Sequence, residues 1–97
     1  MNENQTKVGL LVIDDDPIYR NLLRSILKER FDVFAVEKPS IGFKILENES
    51  IEFVISDFKL PEMDGLRVLE KIKEQYPSIE VILISNSGDM DTVISAL

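Results

Sequence analysis

Four short apolar runs punctuate the chain: Val8 to Ile13, Val33 to Val36, Phe53 to Ile55 with Ser56 continuing the strand, and Val81 to Ile84. Each is strand-sized and rich in β-branched residues. Between them the apolar positions change to helical spacing. Ile18, Leu22, Leu23, Ile26 and Leu27 form one stripe, Ile41, Ile45 and Leu46 a weaker one, and Leu66, Leu69, Ile72 and Tyr76 a third. The boundary residues agree with this division. Asp16-Pro17 reads as an N-cap followed by proline at the first helical position, Asp64-Gly65 opens the third helix, and Pro77 closes it. A fourth helix is expected to begin near Asp89 and to run on to Leu97.

Strands that are apolar throughout, rather than at alternate positions, belong to parallel sheets covered on both faces. Strand and helix in alternation therefore predict an open α/β fold. In such sheets functional groups gather beyond the carboxyl ends of the strands. The residues there are Asp14, Asp15 and Asp16 after the first strand, Asp57 after the third and Ser85 after the fourth.

Composition narrows the chemistry. A length of 97 residues limits the chain to one small domain. With 11 basic and 18 acidic side chains the formal net charge is -7, which works against direct nucleic-acid binding or attachment to an anionic membrane. Cysteine and histidine are both absent. Disulfides, thiolate zinc sites, Ser-His-Asp catalysis and imidazole ligation are thereby excluded, leaving carboxylate, hydroxyl and ammonium chemistry. The polar segment Met1 to Lys7 reads as a flexible N-terminus without the apolar core of a signal peptide, and no run approaches the ~20 residues of a membrane span. A cytoplasmic protein is expected.

Adjacent parallel strands lie about 4.8 Å apart, so carboxylates ending neighbouring strands must crowd. At ~5 Å and an effective dielectric near 20, each charged pair costs roughly 3 kcal/mol. Either a proton is retained or a cation is bound. Hard oxygen ligands suit Mg²⁺, with Mn²⁺ as the alternative. The plainer reading treats these aspartates as turn and capping residues, and for Asp16 it is the better one. For Ser85 alone, a plain N-cap or loop hydroxyl stands level with a functional role. Asp57 resists that reading, because it ends a buried strand and is followed by Phe58-Lys59-Leu60-Pro61 rather than by a helix.

Leu11-Val12-Ile13-Asp14-Asp15-Asp16-Pro17, the run Asp57-Phe58-Lys59-Leu60-Pro61-Glu62-Met63-Asp64-Gly65, and Val81-Ile82-Leu83-Ile84-Ser85 together resemble the receiver domain of two-component response regulators, the CheY-like superfamily. The resemblance implies a flavodoxin-like sheet of order 2-1-3-4 with helices on both faces. It makes Asp57 the phosphoacceptor and a contributor to the metal site. Asp15 would bind Mg²⁺ directly and Asp14 mainly through water. The backbone carbonyl of Lys59 would add an oxygen, and Ser85 would be the switch hydroxyl. It also implies a sensor histidine kinase or phosphotransfer protein as donor and an output domain C-terminal to the receiver, with a homodimer as a further expectation. The loop from Asn86 to Met90 would move with Ser85. Lys59 reads first as a solvated loop lysine, and Asn86 stands where the family usually has a smaller residue.

The chain also departs from the family pattern. Room exists for four strand-helix units where the family has five, so the fifth unit and its lysine are missing and residues 1–97 are expected to form an incomplete receiver. The apolar run of the fourth strand would then be an exposed edge. A fragment of a longer chain is the first expectation, and a protomer completed by another subunit the second. Two competing functions follow. One is a receiver-shaped interaction or dimerisation module uncoupled from phosphorylation. The other is a haloacid-dehalogenase-like phosphohydrolase using the Asp14-x-Asp16 spacing; this leaves Asp57 without a role.

Overall fold

A computed structural model of the chain describes residues 7–86 and 91–96. In chain order the elements are β1 (Val8–Ile13), α1 (Pro17–Leu27), β2 (Phe31–Val36), α2 (Pro39–Asn48), β3 (Phe53–Asp57), α3 (Gly65–Gln75), β4 (Glu80–Asn86) and β5 (Asp91–Ala96). They build one sheet of order β2-β1-β3-β4-β5. The first four strands in that order are parallel, as a flavodoxin-like receiver fold requires.

Local chemistry fixes the helix starts. Asp16 Oδ1 accepts from the Ile18 N–H at 2.9 Å, with Pro17 in the first turn of α1, and Asp64 Oδ1 accepts from the Arg67 N–H at 2.9 Å to cap α3. These bonds satisfy N–H groups that a helix leaves unpaired at its first turn. At the other end of α3 the Tyr76 N–H donates to Ile72 O just before Pro77.

The faces of the sheet are covered unequally. Leu11, Ile13, Val54, Val81 and Leu83 pack with Leu46 of α2 and with Val68 and Ile72 of α3 in one buried cluster. Close approach matters here: a Cβ at Gly42 of α2 would press on the Ile13 and Leu11 side chains. By strand alternation Leu10 and Val12 point to the opposite face, where α1 lies. They are fully buried, yet α1 buries none of its own residues completely. Ile18, Leu22 and Ile26, spaced four apart along one side of α1, are 80%, 51% and 63% exposed. Ile55 and Ile82, register partners on that same sheet face, are half-buried. Helices thus lie on both faces, with the α1 side partly open.

The expected fourth helix is corrected over the residues described. Asp91–Ala96 is a strand, antiparallel to β4 with Leu83 opposite Ile94 and Ser85 opposite Thr92. Thr92-Val93-Ile94 is β-branched throughout, which favours extended backbone. Pairing also gives partners to the N–H and C=O groups along β4 that would otherwise stand unpaired at an edge, so β4 is an interior strand. The proposed helix start near Asp89, the loop residues Ser87 to Met90 and the N-terminal Met1 to Thr6 lie outside the described residues.

Candidate functional site

Register brings the acidic residues together. Ile13, the last residue of β1, is level with Ser56, so Asp14 stands beside Asp57, which closes β3. The Asp14 N–H donates to Val36 O at 3.0 Å, tying this position to β2 one residue past the end of β1. Carboxylate oxygens of Asp14, Asp15 and Asp57 all lie within 4.8 Å of one another. Asp14 is buried, Asp57 half-buried and Asp15 exposed, so the cluster opens to solvent on the Asp15 side. Asp16 does not join it, since its side chain is committed to the α1 cap. That commitment argues against the phosphohydrolase reading, which needs Asp16 as a general acid.

Crowding shows in the electrostatics. Burial pushes the Asp14 carboxyl up to about 6 from 3.8; the Asp16 N–H, bonded to Asp14 Oδ1 at 2.9 Å, pulls it back, and the charges of Asp57, Asp15 and Asp16 raise it further. Burial also raises the Asp57 carboxyl, against hydrogen bonds from the N–H groups of Lys59 and Phe58 and with the charges of Asp15 and Asp16. Several acidic oxygens converge here although their charges oppose it. A hard donor set of this kind fits a divalent cation of the Mg²⁺ or Mn²⁺ type.

The loop after β3 is held at several points. The Phe58 N–H donates to Ile84 O at 2.8 Å, and the Gly65 N–H to Phe58 O at 2.7 Å. A Cβ on Gly65 would collide with the main-chain oxygen of Asp57, which explains glycine at this position. Lys59 is exposed. Ser85, half-buried on β4, follows Ile84, the register partner of Asp57, and so lies just beyond the end of β3. Pro61 O accepts from the Met63 N–H at 2.8 Å, closing a tight turn around Glu62.

Two features of the site have no counterpart in the sequence reading. Arg20 Nη1 donates to the main-chain oxygen of Asp14 at 2.6 Å. Glu62, with φ at 72°, accepts from both the N–H and the hydroxyl of Ser40 at 2.9 Å. The only local signal for the first is an arginine one turn into α1. The second joins residues 22 apart in sequence, and no local pattern announces it.

Comparison with known proteins places this arrangement in a family. The family model described as "Response regulator receiver domain" matches residues 10–97. The DNA-binding transcriptional regulator NtrC of Proteus hauseri is 37% identical over 91 residues, covering 93% of this chain but 19% of that protein. Transcriptional regulatory protein GlrR of Escherichia coli is 32% identical over 88 residues, 90% of this chain and 20% of its own length. The chain thus spans about a fifth of the curated relatives it matches. Among solved structures, the signal receiver domain of an HD domain-containing protein from Pseudomonas fluorescens Pf-5 superposes with a TM-score of 0.80 at 26% identity, covering 87% of this chain and 68% of that one. The MaeR response regulator bound to beryllium trifluoride has a TM-score of 0.75 at 26% identity, with 84% and 70% covered. The chain belongs to the response regulator receiver domain family, the signalling domains of two-component systems. Among the described residues no helix is long and apolar enough to cross a membrane.

Proposed function

We propose that this receiver accepts a phosphoryl group on Asp57 in a Mg²⁺-dependent reaction and passes the change through Ser85 to an output domain or partner. The observation that carries the reading is the convergence of the Asp14, Asp15 and Asp57 oxygens at the carboxyl ends of β1 and β3. An Asp57 oxygen attacks phosphorus; the new P–O bond forms as the bond to the donor breaks. The leaving group is the imidazole of a kinase phosphohistidine or the carboxylate of a small acyl phosphate. These 97 residues contain no histidine, so the donor group lies outside them. Asp14, Asp15, Asp57 and the Lys59 carbonyl would hold the cation, which when bound neutralises carboxylate and phosphoryl charge. Ser85 would donate its hydroxyl proton to a phosphoryl oxygen. The similarity to NtrC and GlrR supports an output domain that controls transcription, and the beryllium trifluoride complex of MaeR supports a site that takes a phosphoryl-shaped ligand.

The exposed apolar side of α1 favours a second reading, a module that binds partners without phosphorylation. Intact-mass measurement after incubation with acetyl phosphate and Mg²⁺ separates the two. One added phosphoryl group is expected, absent without the cation and absent in Asp57→Asn. A folded sample that gains no mass would remove the phosphoacceptor reading and leave the binding one.

A further inference from the structure

Arg20 is the residue whose placement the proposed chemistry does not yet use. It sits one turn into α1, where the first backbone bond of the helix already holds Asp16 and the arginine side chain adds a hold on Asp14. Its N–H donates to Asp16 O at 2.9 Å, and its Nη1 donates to Asp14 O at 2.6 Å. Asp15 stands between these two held carbonyls. The Asp16 N–H bond to Asp14 Oδ1 closes the turn from inside. Asp14 itself is past the last ladder position of β1, where a carbonyl needs a donor from outside the sheet.

We infer that Arg20 is a positioning residue for the cation site: its guanidinium fixes the main chain of the Asp14–Asp16 turn and so sets the directions of the Asp14 and Asp15 carboxylates. The inference rests on reading Asp14, Asp15 and Asp57 as a divalent-cation site. Its charge-assisted hydrogen bond goes to a neutral carbonyl rather than to a carboxylate, so the contact shapes the ligands instead of neutralising them. The planar fork of arginine suits a fixed contact of this kind better than the flexible ammonium of lysine.

Charge and position predict opposite signs, which makes the test sharp. If Arg20 acted only as a positive charge near the site, removing it would strengthen cation binding. If it positions the turn, removing it weakens binding. The measurement is Mn²⁺ affinity of the full chain, followed by electron paramagnetic resonance of the free ion, with folding checked by circular dichroism. Arg20→Met is expected to raise the Mn²⁺ Kd about tenfold, the lower end for groups that orient metal ligands from outside. Arg24→Met removes the same charge from an exposed position on the same helix and should leave the Kd unchanged or slightly lower. An Arg20→Met chain that binds as tightly as the unaltered one, or an equal weakening in Arg24→Met, would overturn the inference while leaving the cation site in place. Should Arg20→Met lose its fold, a conservative variant decides. Arg20→Lys keeps the charge but replaces the planar fork by a flexible ammonium, so a raised Kd is expected and a Kd equal to that of the unaltered chain would overturn the inference. No Mn²⁺ binding by the unaltered chain would instead remove the cation reading of the site, and this inference with it.

Discussion

The acidic cluster is carried by two segments at one end of the sheet, Asp14 and Asp15 in the turn after β1 and Asp57 at the head of the loop after β3, and they are held in different ways. The turn after β1 is short, and it is held by the Asp14 to Val36 bond together with ties inside residues 14–20: the Asp16 cap, the Asp16 N–H on Asp14, the first backbone bond of α1 and the Arg20 guanidinium on Asp14 O. The loop after β3 runs from Phe58 to Asp64 and is stitched to distant elements, through Phe58 to Ile84 on β4 and through Glu62 to Ser40 on α2. The difference separates two tasks. A turn closed mostly by its own residues holds its carboxylates through β2 and α1 alone. A loop tied to β4 and α2 links Asp57 to those elements, as the proposed switch would require.

Gly65→Ala strikes the long loop hardest. The added Cβ would meet the Asp57 oxygen and the Phe58 Cα, both main-chain atoms, so relief requires moving the backbone that carries Asp57. A loss of about 3 kcal/mol is expected, the upper part of the range for overpacking, measured as a lower urea midpoint by circular dichroism. A loss under about 1 kcal/mol would show that the long loop yields freely at its anchor, and the contrast with the short turn would weaken.

The short turn shows itself through pH. A carboxyl whose folded pKa lies above its unfolded value holds its proton more tightly in the folded chain. The stability Asp14 adds is therefore complete below about pH 4 and is lost as pH rises through about 6. Asp57 acts in the same direction. Without cations, stability should fall by roughly 2 kcal/mol across that window, less than the full shift implies because water reaches the site. Saturating Mg²⁺ should flatten or reverse the slope, since a bound cation favours the ionised form. Asp14→Asn should remove most of the metal-free slope, and urea midpoints at several pH values check it. A slope that survives in Asp14→Asn would assign the effect to Asp57 and the long loop.

Much of this was legible in the sequence because it is local. The caps at Asp16 and Asp64 and the strand-ending acids Asp14 and Asp57 each follow from a few neighbouring residues; alternating elements imply a parallel sheet, and its order β2-β1-β3-β4 is what the resemblance to receiver domains implies. What escaped the reading is set by distance. Arg20 needs a helix in place before its side chain can fold back onto Asp14, and the bond between Glu62 and Ser40 exists only once α2 and the β3–α3 loop are neighbours. At Asp91–Ala96 the helical expectation gave way because pairing with β4 satisfies backbone groups that a local reading does not count.

The subtlest difference between the loops lies at Glu62. Its backbone has φ at 72°, a region glycine enters without steric cost and other residues seldom adopt. Its carboxyl is held below the usual range by the Ser40 N–H and then by the Ser40 hydroxyl. Lys38, the N-cap of α2, makes no side-chain cap, so Glu62 caps that helix from across the loop. Glu62→Gly removes the cap and the backbone strain together, and the two act in opposite directions on stability. The urea midpoint should therefore move little, while the Ser40 amide exchanges hydrogen faster and amides in the middle of α3 do not change. Unchanged exchange at Ser40 would mean that the long loop is fastened only at Phe58 and Gly65, and α2 would drop out of the path by which a change at Asp57 leaves the site.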